Sequence, residues 1–432
     1  MEKLIVKNFL VLKDIELEVN KINILIGEQA EGKSLIAKLV YFFEKTKEEF
    51  VFSIFIGWSL QALIKTQTKM FYDIFPSYIL EKDLFALEYG TEDWKIFVFS
   101  EKLKSNKIKL RIKFSENIHK RYNLLKIKYN KSKELRSKEE AYNKFSTIKH
   151  AVKEKLFDVG EPIFIPAGRS FFANLQKRIF NFIKNDIALD FFIKEFGSNY
   201  EKQKGKFEAG IISQNIKRSI DKIVKGEYKL IKGEYEDYIF TNEKLIRLEN
   251  TSSGQQEILP MLIVIATEVF DTGNLFINSF YFIEEPETHL YPSTQKKVVE
   301  FICSIFNSPK KEIENSNNDK KNSFFITTHS PYILSSFNNL IQADNAYKSI
   351  ITSSSLNENK EELLKKLYKT VPRKKHISFE DISAYYLKNG KLKDIKNYEN
   401  RLIDVNAIDD VSDEIGSEFD NLLNLEIGEN DQ

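Results

Sequence analysis

The segment 21-KINILIGEQAEGKSLIAKLVYFF-43 narrows the possible folds more than any other part of the chain. Its apolar run, Ile22 to Ile26, is too continuous for a strand with one wet face and has the length of a strand buried on both. Gly27 ends the run, Gly32, Lys33 and Ser34 follow, and from Leu35 the apolar residues recur at helical spacing. A buried strand that turns through glycines straight into a helix belongs to an open α/β sheet. Successive N–H groups of such a turn point into one concavity, with the positive end of the helix behind it, so the turn receives phosphate oxygens. The spacing fits G-x-x-x-x-G-K-[ST]: Gly27, Glu28, Gln29, Ala30, Glu31 and Gly32 form the cradle. Lys33 reaches the β- and γ-phosphates, Ser34 ligates Mg²⁺, and Leu35 opens the helix. The expected ligands are therefore ATP and Mg²⁺.

A second segment, 279-SFYFIEEPETHLYPS-293, ends an apolar run in two adjacent carboxylates, Glu284 and Glu285. Burying one carboxylate costs several kcal/mol unless it is paired or bound to a metal. A cation removes that penalty by supplying charge where the two acids would otherwise repel each other. A phosphate-binding sheet commonly carries a second strand that ends in an acid holding Mg²⁺, and a following acid can orient and deprotonate the attacking water. Glu284 is accordingly the expected metal ligand and Glu285 the expected base.

Two further stretches fit the same site. In 251-TSSGQQ-256, Ser253, Gly254 and Gln255 open a helix. They form either a second phosphate receptor, completing a site on another copy of the chain, or a plain N-cap. Thr328-His329-Ser330 follows the apolar run 324-FFIT-327, and a neutral His329 at a strand end can donate a hydrogen bond to a γ-phosphate. Arg169, in 166-PAGRS-170, is either a phosphate or interface contact or an ordinary surface arginine.

The remaining sequence sets the organisation. With 432 residues, 42% of them hydrophobic and 30% charged, the chain is long enough for two or three domains or for one with a large insertion. Cys303 is the single cysteine, so an internal disulfide and a cysteine-cluster metal site are excluded, and the five histidines have no metal-ligand spacing. The run 50-FVFSIFIGWSLQALI-64 is too short to span a bilayer and reads as a buried helix. A soluble, cytoplasmic protein without a membrane segment is expected. Residues 1–45 and 158–345 read as an α/β head, 46–157 as a mainly helical, lysine-rich insertion containing two strands, and 346–432 as an extension with an acidic tail. A hairpin is expected around Asn389-Gly390. Between Glu101 and Gly160 there are 18 Lys/Arg against 7 Asp/Glu, and from Leu402 to Gln432 there are 10 acids and no bases. The basic block is either a nucleic-acid surface or a solvated face. In the tail, Val411, Ile415, Phe419, Leu422 and Leu423 share a helical face suited to docking.

Taken in order, the glycine-lysine loop, Ser-Gly-Gln, EEPETHLYP and THSPYIL resemble the ABC-type ATPase heads of the SMC/RecF kind. They are most similar to the bacterial AAA-15 and AAA-21 subgroup and to the ATPase half of overcoming-lysogenisation nucleases. PAGRS also occurs among ATPases of antiphage systems such as PARIS. The resemblance covers about residues 1–45 and 160–340. It implies an ABC-type P-loop head, a mixed β-sheet flanked by helices, with an α-rich insertion. It also implies a homodimer or larger oligomer with ATP between subunits, Ser253 and Gly254 of one copy facing the P-loop of another. The implied function is a Mg-dependent ATPase that acts as a nucleotide-gated switch in antiphage defence and controls a separate effector, a nuclease or toxin. A RecF-like, DNA-binding repair ATPase is the alternative. The chain departs from the resemblance in two places: Glu284 stands where many relatives have Asp, and the signature lacks the leucine and second glycine of L-S-G-G-Q. No nuclease motif follows residue 340, so an effector would be a separate protein.

Overall fold

A computed structural model describes residues 1–76, 84–105, 107–129, 137–175, 189–231, 236–270, 278–308, 322–353, 359–405, 417–419 and 422. The strands are β1 (Glu2–Phe9), β2 (Leu12–Val19), β3 (Ile22–Gly27), β4 (Ala86–Gly90), β5 (Lys95–Lys102), β6 (Ile108–Phe114) and β7 (Glu161–Ile165). They continue with β8 (Glu227–Ile231), β9 (Glu236–Thr241), β10 (Lys244–Arg247), β11 (Ser279–Glu284), β12 (Ser323–Thr328), β13 (Ile382–Lys388) and β14 (Lys391–Asp394). Eleven of them form one sheet in the order β6-β5-β4-β1-β2-β14-β13-β3-β12-β11-β7, and β8 to β10 form a small separate sheet. The half from β13 to β7 is parallel, whereas β1, β2, β4, β5 and β6 pair antiparallel.

The apolar runs explain this division. Every residue of β3 and β11 is buried, as expected for parallel strands covered on both faces. Alternate residues of these strands feed different cores. Leu25, Phe282 and Phe325 pack on the side of α1 (Lys33–Ile56), whereas Ile24, Ile26, Ile283 and Ile326 pack on the side of the helices Ser253–Phe270, Pro292–Phe306 and Pro331–Thr352. Tyr41 of α1 joins its core edge-on to Phe164, Phe282 and Phe192.

The chain does not divide as its sequence suggests. The expected boundary at residue 45 falls inside α1. Of the expected insertion, β4, β5 and β6 extend the main sheet, and the helices Glu116–Tyr129 and Lys138–Lys155 pack into the α1 core through Ile118, Tyr122, Phe145 and Ile148. The expected extension supplies β13, which lies parallel to β3 near the middle of the sheet. The run from 50 to 64 is likewise two helices. Gly57, at φ 82°, closes α1 with its N–H on Ile54 O, and Ser59 caps α2 (Leu60–Ile74) by accepting from Ala62 N. The Asn389-Gly390 hairpin forms as expected, both residues at positive φ, between β13 and β14. Of the tail's apolar set, Phe419 and Leu422 are exposed, and Val411, Ile415 and Leu423 lie outside the described residues. Among the described residues no helix is long and apolar enough to cross a membrane.

Candidate functional site

The parallel register brings the distant motifs together. In β12, Thr327 is level with Glu284 of β11 and Thr328 with Ile26 of β3, so the carboxyl ends of the three strands form one edge. Open α/β sheets bind ligands at that edge.

Gly27 ends β3, and a Cβ there would lie 2.3 Å from Leu387 O of β13. Strand β13, from the far end of the chain, thus requires this glycine in addition to any ligand. Gly32 stands at φ 104°, where its missing Cβ also avoids Val11 and Leu12. Glu28, Gln29 and Ala30 are exposed, Glu31 and Leu35 are half-buried, and Ser34 is exposed on the first turn of α1. The Lys33 side chain turns back along the loop. Lys33 is only 5% exposed, and its ammonium donates to Gly27 O (2.8 Å) and Glu28 O (2.6 Å) and lies 3.1 Å from His329 Nδ1. Burial pushes its pKa below the usual lysine value, opposed by the carboxylates of Glu285, Glu287, Glu31 and Glu28.

His329 links this lysine to the acid pair. Its Nε2 lies 2.8 Å from Glu285 Oε1, and its Nδ1 is 3.1 Å from both Lys33 Nζ and Gly27 O. A neutral ring with the proton on Nε2 lets Lys33 donate to Nδ1 while Nε2–H donates to Glu285. The imidazole is held in place by Glu287, whose Oε1 accepts from His329 N and from Thr328 Oγ1, each at 2.7 Å. The sequence alone assigns Glu287 no role, and its position in EEPE, beyond the proline, is the available signal.

Glu285 leaves β11 at φ 44°, a conformation that costs an ordinary residue roughly 1–2 kcal/mol. The surroundings fix it: Glu285 N donates to Thr327 O at 2.9 Å, and its carbonyl accepts from Arg169 Nη2 (3.0 Å) and Thr288 Oγ1 (2.9 Å). Glu284 remains 7% exposed. Its Oε2 accepts from Ala167 N at 3.2 Å, and its Oε1 is buried without a hydrogen-bond partner. A buried carboxylate oxygen with no donor is an acceptor suited to a cation, so the residues fit Mg²⁺. Among the described residues no three His, Cys, Asp or Glu side chains converge to hold a metal alone. A hard cation at Glu284 would take its other oxygens from Ser34, phosphate and water.

The structure gives Arg169 neither of the places expected for it. It is fully buried, at 0% exposure, and its guanidinium donates to Glu257 O, Pro166 O, Glu284 O and Glu285 O. Burial lowers its pKa, and Glu257 opposes that most strongly. At the start of the helix Ser253–Phe270, Ser252 and Gln255 cap each other: Ser252 N donates to Gln255 Oε1 (3.1 Å) and Gln255 N to Ser252 Oγ (3.3 Å). Gln255 Nε2 turns inward to Val224 O, so this glutamine follows the N-cap alternative. Ser253 stays exposed at the positive end of the helix, and Gly254 sits against the chain after Glu285, where a Cβ would lie 2.7 Å from His289 O.

Residues 161–334 match the family model described as AAA ATPase domain. That span contains Arg169, the Ser253 helix start, the Glu284–Glu285 pair and His329; the P-loop lies outside it and is brought to it by the pairing of β3 with β12. No curated protein matches the chain. Among solved structures, it is similar to an SMC head bound to the C-terminal winged-helix domain of ScpA, at 13% identity over 93% of this chain and 99% of that one, TM-score 0.37. It is also similar to the SMC head domain from Thermotoga maritima, at 12% identity over 77% and 90%, TM-score 0.33. The recombination mediator protein RecF is similar at 10% identity over 91% and 97%, TM-score 0.32. These likenesses are distant.

Proposed function

We propose that the chain is a Mg-dependent ATPase whose active sites are completed between two copies of itself. The observation that carries this reading is the hydrogen-bonded series Lys33–His329–Glu285 across the ends of β3, β12 and β11, beside the free buried oxygen of Glu284. Bound Mg²⁺ would neutralise charge developing on the transferred phosphoryl group. Glu284 and Ser34 would hold that cation, and Lys33 would exchange the loop carbonyls for the phosphates. Glu285 accepts the proton of the attacking water, and His329 keeps that carboxylate aimed through its Nε2–H. The exposed Ser253 and the neighbouring Gly254 supply the second copy's phosphate contact.

The test is ATP hydrolysis and particle size for the wild type and Glu285→Gln, with and without ATP. Loss of the base lowers turnover by about 10²–10⁴-fold with ATP binding kept, and the variant accumulates as a larger assembly in ATP. Normal hydrolysis by Glu285→Gln overturns the assignment of the two carboxylates.

The motif resemblance extends the proposal to a nucleotide-gated switch in antiphage defence that holds or releases a separate effector. Recovering the ATP-trapped Glu285→Gln assembly from cells identifies that partner. A second reading, DNA binding, is favoured by one observation. A cavity of about 430 Å³ between the helices Glu116–Tyr129 and Lys138–Lys155 is lined by Arg121, Lys128, His150 and Lys155, with Glu154 the one acid among its lining residues. Salt-dependent DNA binding that is lost on neutralising Lys126, Lys128, Lys131 and Lys133 supports it; the last two lie outside the described residues.

A further inference from the structure

The helix that begins at Ser253 and the backbone of Glu285 are joined by one buried pair, Arg169 and Glu257. Glu257 is 2% exposed and lies one turn beyond Gly254, on the same side of the helix. Its Oε2 accepts from Arg169 N at 2.8 Å and its Oε1 from Ser170 N at 3.0 Å, which fixes the turn after β7 to this helix. The guanidinium then reaches in two directions. Nε donates to Glu257 O at 3.0 Å, whereas Nη1 donates to Glu284 O at 2.7 Å and Nη2 to Glu285 O at 3.0 Å. A second contact runs beside it, with Gly254 pressed against His289 O just past the same acids.

We propose that Arg169 and Glu257 are positioning residues that couple the N-terminal turn of the Ser253–Phe270 helix to the strained backbone of Glu285. The coupling rests on the function proposed above, in which that turn meets a second copy's nucleotide. The positive φ of Glu285 persists only because both of its peptide groups are held. One is held by β12 through Thr327 O; the other is held by Arg169 and Thr288. Any shift of the helix turn carries Glu257 and the turn around Arg169 with it. Charge-assisted hydrogen bonds in a dry interior keep their geometry or break, so the shift reaches the Glu285 carbonyl instead of being absorbed on the way. A second copy engaging Ser253 and Gly254 therefore sets the aim of the Glu285 carboxylate, and the subunit hydrolyses ATP only when paired.

The experiment compares wild type, Glu285→Gln, Arg169→Lys, Glu257→Gln and the double variant Arg169→Lys/Glu285→Gln. Lysine keeps the charge at 169 but cannot span these carbonyls, and glutamine keeps the size of Glu257 without its charge. Glu257→Gln serves as the second, milder variant should Arg169→Lys fold poorly. The readouts are near-UV circular dichroism, affinity for a fluorescent ATP analogue with Mg²⁺, and kcat as a function of protein concentration. For the single variants at 169 and 257 the expected result is a folded protein, analogue affinity within about twofold of wild type, and kcat lower by about 10–100-fold, the cost of a misplaced reacting group. Wild-type specific activity rises with protein concentration, and that rise flattens in both variants. Arg169→Lys adds nothing to Glu285→Gln, because both act through the same carboxylate. Wild-type kcat with an undiminished concentration dependence in folded Arg169→Lys or Glu257→Gln overturns the coupling alone. An additive further loss in the double variant also overturns it. A wild type that does not hydrolyse ATP overturns the proposed function and the coupling together.

Discussion

Gly27→Ala tests whether strand β13, more than 350 residues away in sequence, belongs against the P-loop strand. Leu387 is level with Gly27, and the added methyl would sit 2.3 Å from Leu387 O. A carbon and a carbonyl oxygen approach to about 3.3 Å, so the two strands must part by about 1 Å at this point. Overpacking costs about 1–3 kcal/mol, and weakening one ladder hydrogen bond costs about 1 kcal/mol more, giving about 2–4 kcal/mol in all. Unfolding entropy of about 2.1 cal/mol/K per residue makes a chain of 432 residues lose about 1 °C per kcal/mol, so Tm falls by about 2–4 °C. The displaced strand end also begins the phosphate loop, so ATP affinity should fall with stability. The assay is thermal unfolding by circular dichroism together with titration of a fluorescent ATP analogue. A variant with unchanged Tm and unchanged affinity would refute the close approach of β13 and with it the central place of the C-terminal segment in the sheet.

Gly205→Ala is the opposite case. It lies exposed in the helix Phe191–Glu208 with nothing within 4 Å of a built Cβ, so alanine should stabilise by about 0.5–1 kcal/mol, and a lower Tm would contradict the helix there. His376 is buried, with Nε2 on Val371 O and Nδ1 unpartnered, and burial lowers its pKa below 6.5. Its unfolded form takes a proton before its folded form does, so stability is lost as pH falls from about 6.5 toward the lower folded value. Denaturant titrations across that window should show a smaller loss for His376→Gln, and equal losses in both proteins would refute the assignment.

Much of the site was legible because its chemistry is local. Gly27 to Ser34 carry their own strand, turn and helix signals, and Glu284–Glu285 and His329 each follow an apolar run that could only be a buried strand. Other residues were misread where the signal was long-range. Arg169 looked like a surface or phosphate contact because nothing nearby in sequence shows the carbonyls that surround it, which come from 166, 257, 284 and 285. Gln255 looked like part of a phosphate receptor, yet its amide is used by Val224 O. The break at Gly57 and Ser59 was written in the sequence as a C-cap and an N-cap, but the apolar run across it concealed them.

The sequence by itself determined the elements and their chemistry: an α/β sheet with a phosphate loop, an acid pair at one strand end, a histidine at another, and a hairpin at Asn389-Gly390. Backbone propensity, burial period and side-chain type act over a few residues and can be read along the chain. Only the tertiary structure decided which strands are neighbours. That choice put β13 beside β3, drew β4 to β6 into the main sheet, and set Arg169 between the acid pair and the Ser253 helix. Pairing partners are selected by the whole set of buried surfaces and hydrogen bonds at once, and one-dimensional spacing holds no record of that competition.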